Sequence, residues 1–350
     1  MVSIFDVANK AGVSIATVSN VLNNSKPVSD ELRRKVEKAV EELGYKANPM
    51  ARGLKSGKTG NIGIVLPKIT ALFFPHVLEG AEAAAKKLGF KITYCSSGYD
   101  IATEREYMEV LKATCVDGII LDSCCDGENE PGYIKYLASL DYSGKKIPVV
   151  SLERALAPGL INSVAIDERL HSCRAVQHLT GSGRKRIIYI SGPKQLSMIS
   201  NQFEGYMDAL TGAGIEFDPG LVFAGDYTPL SGFNSINKAL DDGVGFDAVF
   251  AANDQTAVGA VMALKNRGCK IPEDVAVVGF DNIFVSALTE PSITTVDVPK
   301  YAMGYAAMEL LDKHLGDPAH KPEDIVLDCD LIIRRSSDQE GGDNWDFLDW

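Results

Sequence analysis

The sequence predicts an α/β protein: a helix-turn-helix head over residues 1–47, then a two-lobe core of doubly wound parallel sheets. Three observations predict it. Ser3 to Leu22, SIFDVANKAGVSIATVSNVL, reads as two short capped helices about a turn at Gly12. From Asn61 on, short apolar runs alternate with amphipathic segments, the rhythm of a parallel sheet, and the alternation runs through twice. Charge divides the chain at the same place. Through Gly60 there are ten Lys and Arg against six Asp and Glu, a head of +4 on a body of −16, within a total of −12. A basic head on an acidic body directs nucleic acid to the head and away from the body.

In the head, Ser3 caps the first helix, with Asp6 as the reciprocal carboxylate of a capping box. Gly12 ends that helix and Ser14 caps the next. Ile4, Val7, Ala8 and Ala11 share one face, and Val18, Val21 and Leu22 another. The opposite face of the second helix carries Ile15, Ala16, Thr17, Ser19 and Asn20, with Asn23 beyond. With Ser14, these small, hydroxyl and amide side chains suit close approach to base edges and phosphates in a DNA major groove. A third helix, Asp30 to Leu43, begins after Ser29 as cap and ends at Gly44; Leu32, Val36, Val40 and Leu43 close a small core. Residues 48–60 form a linker. In it Asn48 as cap, Pro49 at the first helical position and Gly57 as terminator spell a helix of about two turns, marginal by itself in water. Arg52 and Lys55 flank Leu54 and are placed for phosphates.

Three segments carry a resemblance: DVANKAGVSIATVSNVLN, VSDELRRKVEKAVEELGYKAN and MARGLKSGKTGNIGIVLP. In register for some sixty residues, and more loosely almost to the end, the chain resembles the lactose-repressor (LacI/GalR) family of bacterial transcription regulators. The resemblance implies a cytoplasmic homodimeric repressor of double-stranded operator DNA with a periplasmic-binding-protein-like core and a small-molecule effector. It also implies that the linker is a hinge helix ordering on DNA, with Leu54 as a wedge in the minor groove. Gly53 departs from the family's better helix formers, which makes that helix costlier to order by up to ~1 kcal/mol.

In the core, strands are expected at IGIVLP, KITYC, GIILD, PVVSL, Val164–Ile166, RIIYIS, LVFAGD, AVFAAND and VAVVGFD. Helices fall between them at 75–88, 103–113, 168–180, 201–210, 230–240 and 256–267. A last helix, 301–315, and a strand, 325–331, cross back to complete both lobes. The first lobe is assigned 61–162 plus 292–324, the second 163–291 plus 325–337, and the acidic 338–350 is expected to be disordered.

Ligands of such sheets bind beyond the carboxyl ends of the strands. The residues there are Phe73-Phe74, Ser96-Ser97, Asp122-Ser123, Glu153-Arg154, Asp167, Tyr227, Asn253-Asp254 and Asp281. Rings, carboxylates, an amide and one Arg suit a polyhydroxylated ligand. Asp167 and Asp254 are equally suited to cap the helices that follow them, and Phe73 to lie in the core. The resemblance places Phe73, Phe74, Arg154, Tyr227, Asn253 and Asp281 at the family's effector positions. It also marks Gln202 as a departure, since relatives commonly carry an effector-contacting arginine there. A neutral sugar or nucleoside is therefore expected, against a phosphorylated metabolite or a partner protein.

Other classes find little support. No GxGxxG loop follows a strand and opens a helix, and there is no P-loop, GxSxG or HExxH. The five His show no ligand spacing, so neither catalysis, a metal nor a cofactor is expected. Seven Cys without a CxxC pair fit a reducing compartment, with Cys124-Cys125 read as buried or incidental thiols. The apolar runs are too short to span a membrane and Met1–Lys10 lacks the pattern of a secretory signal. A periplasmic sugar-binding protein is disfavoured by the basic head.

Overall fold

The structure is a computed structural model, and it describes residues 2–23, 26–45, 58–125, 130–193, 198–317 and 319–342. The chain divides into two compact units, Met1–Gly60 and Asn61–Trp350.

The first unit holds α1 (Ile4–Ala11), α2 (Ile15–Asn23) and α3 (Asp30–Leu43). The capping box at its start is formed: the Asp6 amide donates to Ser3 Oγ at 3.3 Å, and the Ser3 amide to Asp6 Oδ2 at 2.8 Å. Gly12 takes φ 65° and Gly44 φ 59°, closing α1 and α3 in the left-handed conformation that costs glycine least. Val7, Ala8, Val18, Val21, Val36 and Ala39 are buried together. Two expectations fail here. Ser29 precedes α3 but makes no side-chain capping bond. Leu32 is only half-buried, and Ala39 takes the inward position instead.

In the second unit the first sheet contains β1 (Asn61–Leu66), β2 (Lys91–Ser96), β3 (Gly118–Leu121), β6 (Val149–Glu153), β7 (Asn162–Ile166) and β13 (Asp324–Leu327). The helices α4 (Phe74–Leu88), α5 (Ile101–Ala113) and α6 (Pro131–Ala138), and a hairpin of β4 (Asp141–Tyr142) and β5 (Lys145–Lys146), fall between these strands in sequence. The second sheet contains β8 (Ile187–Ser191), β9 (Val222–Ala224), β10 (Ala248–Ala251), β11 (Ala276–Phe280), β12 (Thr294–Asp297) and β14 (Asp330–Ile332). Its helices are α7 (Glu168–Gly181), α8 (Met198–Gly212), α9 (Pro229–Asp241), α10 (Asp254–Asn266) and α11 (Phe284–Leu288). The last helix, α12 (Lys300–Gly316), returns to the first sheet and packs on α4. There a Cβ on Gly80 would lie 2.0 Å from the Tyr301 carbonyl oxygen, and one on Gly304 1.8 Å from that of Val77, so the two backbones touch.

The strand orders are β13-β7-β6-β3-β1-β2 and β14-β12-β11-β10-β8-β9. All pairs are parallel except β12 with β14. The predicted lobe boundaries move accordingly. Strand β7, assigned to the second lobe, pairs with β6 in the first sheet, Val164 opposite Leu152. Strand β12, assigned to the first, pairs with β11, Thr294 opposite Val278. The single strand expected at 325–331 is two: β13 pairs with β7, and β14 with β12. The chain thus crosses between lobes after Ile166, after Asp297 and after Leu327. Both sheets bury similar aliphatic runs, so only long-range pairing decides which sheet a strand joins.

The elements α6, α11 and β12 and the β4–β5 hairpin lie outside the sequence expectations. In α6, Pro131 at the start and buried Tyr133, Ile134 and Leu137 are the missed signal. Of the acidic end, residues 338–342 are bonded into the fold, Gln339 Nε2 donating to Glu273 Oε1 at 2.7 Å and the Gly341 amide to the Asp338 carbonyl at 3.0 Å, while 343–350 lie outside the described residues. All seven cysteines are free, with Cys124 and Cys125 buried.

Candidate ligand cleft and nucleic-acid interface

The carboxyl ends of both sheets open on one cleft, about 710 Å³ of empty space with the solvent at its mouth included. From the first lobe come Phe73, Phe74, Tyr99, Asp122, Ser123 and Glu153; from the second come Glu168, Gln202, Tyr227, Asn253, Gln255 and Asp281. Phe73 and Phe74 meet edge to face, centroids 5.3 Å apart, and Tyr99 faces Tyr227 across the cleft at 6.4 Å. The Tyr227 ring sits where a side chain at residue 192 would be: a Cβ on Gly192 would fall 2.2 Å from its Cζ.

Backbone strain gathers here. Tyr99, Glu153, Tyr227 and Asp281 all have positive φ, 63°, 63°, 64° and 101°. Such conformations cost a side chain on the order of 1–3 kcal/mol each and persist where the surroundings impose them.

The electrostatics are one-sided. Asp122, Glu153, Glu168 and Asp281 line the cleft, and among the described lining residues there is no Lys, Arg or His. Burial, reinforced by the other carboxyls, pushes Glu153 and Glu168 up to about 8 and holds Asp122 and Asp281 well above the usual carboxylate range. Asp122 and Glu153 hydrogen-bond to each other. Among the described lining residues, two buried acceptors have no hydrogen-bond partner: Glu168 Oε2 and Gln202 Oε1, the latter's Nε2 donating to the Ala252 carbonyl at 3.2 Å. The cleft therefore offers both acceptors and protonated carboxyls.

In the head, Ile15 and Ala16 are exposed, and Thr17, Ser19 and Asn20 half-buried, along one side of α2. Ser14 Oγ accepts from the Thr17 amide at 3.1 Å and lies 2.9 Å from Thr17 Oγ1, so these two hydroxyls set the helix start.

Comparison with known proteins decides what this pairing of parts is. Residues 3–48 match the model of bacterial regulatory proteins of the lacI family, and residues 59–335 that of the periplasmic binding proteins and sugar binding domain of the LacI family. The chain belongs to the LacI family. The transcriptional regulator RegA of Clostridium saccharobutylicum is 37% identical over 336 residues, 96% of this chain and 99% of its own. The repressor CytR of Escherichia coli is 33% identical, covering 95% of each. Among solved structures, a CelR–cellobiose complex matches with TM-score 0.70 and 31% identity over 96% of this chain and all of its own. The Lac repressor dimer bound to operator and the anti-inducer ONPF matches with TM-score 0.83 and 25% identity, over 96% and 99%.

This LacI-family protein is thus a helix-turn-helix transcriptional regulator that binds DNA. Of its predicted ligand residues, Phe73, Phe74, Gln202, Tyr227, Asn253 and Asp281 meet at the cleft. Arg154 does not. Its guanidinium turns back to the carbonyls of Ser123 and Cys125, and its neighbour Glu153 faces the cleft instead. Asn253 lines the cleft, yet its amide is engaged: Oδ1 accepts from the Thr256 amide at 2.9 Å and Nδ2 donates to the Tyr227 carbonyl at 3.3 Å. It is Asn253, not Asp254, that caps α10; Asp254 Oδ2 accepts from the Ile283 amide at 2.8 Å. Asp167 caps α7 as expected. Ser96 and Ser97 bond to Pro67 O and toward Cys124 Sγ.

Tyr99 and Glu168 were missed. Tyr99 stands in a Gly98-Tyr99 turn past β2, two residues beyond Ser97, and Glu168 follows the capping Asp167 by one residue, so both lie just outside the strand ends themselves. Asn23 ends α2 with its side chain outside the described residues, as are Arg52, Leu54 and Lys55. Among the described residues no helix is long and apolar enough to cross a membrane, and no cluster of three metal-ligating side chains occurs.

Proposed function

We propose that this regulator is a cytoplasmic, homodimeric repressor whose operator affinity is set by a neutral, hydroxyl-rich ligand, a sugar or nucleoside, closing the two lobes about the cleft. The observation that carries the ligand class is the lining: four carboxyls from both lobes and no cation among the described residues. A phosphate placed there would find no cation among the described lining residues and would face carboxyls already held from ionising, whereas hydroxyls can donate to Glu168 Oε2 and Gln202 Oε1 while a ring stacks on Tyr99 or Tyr227. The cellobiose held by the similar CelR supports a sugar, and the operator-bound dimer of the similar Lac repressor supports the assembly. Ile15, Ala16, Thr17, Ser19 and Asn20 read the operator, and Arg52, Leu54 and Lys55 extend the contact into the minor groove.

Calorimetry on the full chain with sugars, nucleosides and their phosphorylated counterparts tests the ligand class. Neutral compounds should bind and shift affinity for an operator selected from random DNA. Tight binding of a phosphorylated compound or of a partner protein, with neutral ones silent, would overturn it.

A further inference from the structure

Behind the ligand-facing wall of the cleft lies a buried cation that belongs to neither the lining nor the sequence expectations. Lys300 is 8% exposed and opens α12, immediately after the chain crosses from the second sheet to the first lobe. Its ammonium reaches back to the second lobe. It donates to the carbonyl of Asp281, to that of Asn282 at 3.1 Å, and to that of Val298 in the crossover at 3.0 Å. Asp297 Oδ1 lies 3.8 Å away. Burial lowers the ammonium's pKa, opposed by Asp297, Asp281 and Asp254.

The two residues it grips are strained. Asp281 and Asn282 have φ of 101° and 51° in succession at the end of β11. Their amides are held from the other side, Asp281 N by the Val296 carbonyl at 3.0 Å and Asn282 N by Thr295 Oγ1 at 3.2 Å. The Asn282 side chain donates to Asp297 Oδ1 at 3.0 Å and accepts from Arg334 Nη2 at 2.8 Å. The carbonyls of this turn point at Lys300, and the Asp281 side chain lines the cleft. Two donations from one charged group to the turn and a third to the crossover, each stronger than a neutral hydrogen bond, help to keep such a turn in place.

We propose that Lys300 is a positioning residue and interlobe clasp: it ties the first-lobe helix α12 to the Asp281-Asn282 turn, sets the direction in which Asp281 faces the cleft, and holds the lobes at their observed angle. That this tunes ligand response rests on the function proposed above; the clasp itself does not. Asp281 touches the ligand space and the clasp touches Asp281, so a ligand drawing on Asp281 acts directly on the lobe connection.

The test uses the full chain without ligand or DNA, so its outcome is independent of the repressor reading. Hydrogen exchange and photo-oxidative dityrosine cross-linking are compared in the parent and in Lys300→Met, with Lys300→Gln where the methionine variant does not fold and Lys300→Arg as the conservative rescue. Loss of the clasp should speed exchange at the amides of Asp281 to Ile283 roughly tenfold or more, as for a lost hydrogen bond to a charged group. Exchange in the middle of β10 and α4 should not change. The Tyr99–Tyr227 cross-link, identified by peptide mass, should fall severalfold as the lobes part, and Lys300→Arg should restore both signals. Faster exchange spread evenly over the core would mean a merely structural lysine. That result, an unchanged turn, or a loosened turn with an unchanged cross-link would each overturn the proposal.

Discussion

The helix-turn-helix head and the ligand cleft solve opposite problems. The head exposes what it uses. Among its described residues the buried apolar side chains Val7, Ala8, Val18, Val21, Val36 and Ala39 come from three consecutive helices, and the side chains proposed to read DNA stand on one face of one helix. The cleft buries what it uses. Its lining comes from both sheets and from residues as distant as Phe73 and Asp281, several in positive φ and with carboxyls kept from ionising. A surface that meets DNA can be built from local periodicity, because water and phosphate supply the missing partners. A pocket that must discriminate small molecules needs groups whose partners are withheld, and only long-range packing can withhold them.

The largest expected effect separates the two units by stability. Phe250, fully buried in β10 and stacked on Tyr189 at 5.5 Å, supports the second sheet under the cleft. Phe250→Ala should cost about 3–5 kcal/mol of core stability, read by chemical denaturation, while the head's own unfolding, followed by exchange in α1 and α3, is unchanged. A matching loss in the head would break the comparison.

The second expectation concerns pH. Glu153 and Glu168 are held near 8 when folded and ionise near 4.5 when unfolded. Between those values the folded protein holds more protons, so core stability should fall as pH rises from about 4.5 through 8. Denaturation at pH 5, 7 and 9 should show that decline, and Glu168→Gln should flatten it. The head's carboxylates Asp6 and Glu42 are lowered, by hydrogen bonds from Ser3 and from Lys10 respectively, so its stability should respond in the opposite sense, weakening at low pH.

Third, Asn20→Ala should relax preference at one operator position with a loss of about 1–3 kcal/mol, read by binding to a randomised operator library, and leave ligand binding intact. An unaltered base preference would remove Asn20 from the reading set. The smallest effect is expected at the head's first cap. Ser3→Ala removes the Ser3 Oγ acceptor of the Asp6 amide and should cost about 0.5–2 kcal/mol of head stability, with the cleft indifferent.

Legibility follows the same division. Caps, turns and periodic faces are written within ten residues of one another, so Ser3, Gly12, Ser14 and Gly44 could be placed from sequence, as could most core helices to within a few residues. The cleft could be nominated because ligands of parallel sheets sit at strand ends, which brought Phe73, Phe74, Tyr227 and Asp281 correctly to one place. Side-chain direction at those ends was not legible. Arg154 and Glu153 are neighbours, yet Glu153 lines the cleft while Arg154 is bonded back to the Ser123 and Cys125 carbonyls.

The amino-acid sequence by itself determined that there is a DNA-reading head, that two parallel sheets follow, and roughly where their strands end. These properties depend on spacing and local caps, which survive without knowledge of distant partners. Tertiary structure alone decided which sheet receives β7, β12 and β13, that the chain crosses the lobes at residues 167, 298 and 328, and that four carboxyls meet without a cation among the described lining residues. It alone brought Lys300 beneath Asp281, 19 residues earlier in the chain. The reason is that strand pairing and desolvation are energies of contact between segments far apart in sequence, and aliphatic runs as alike as those of the two sheets leave that choice to the folded whole.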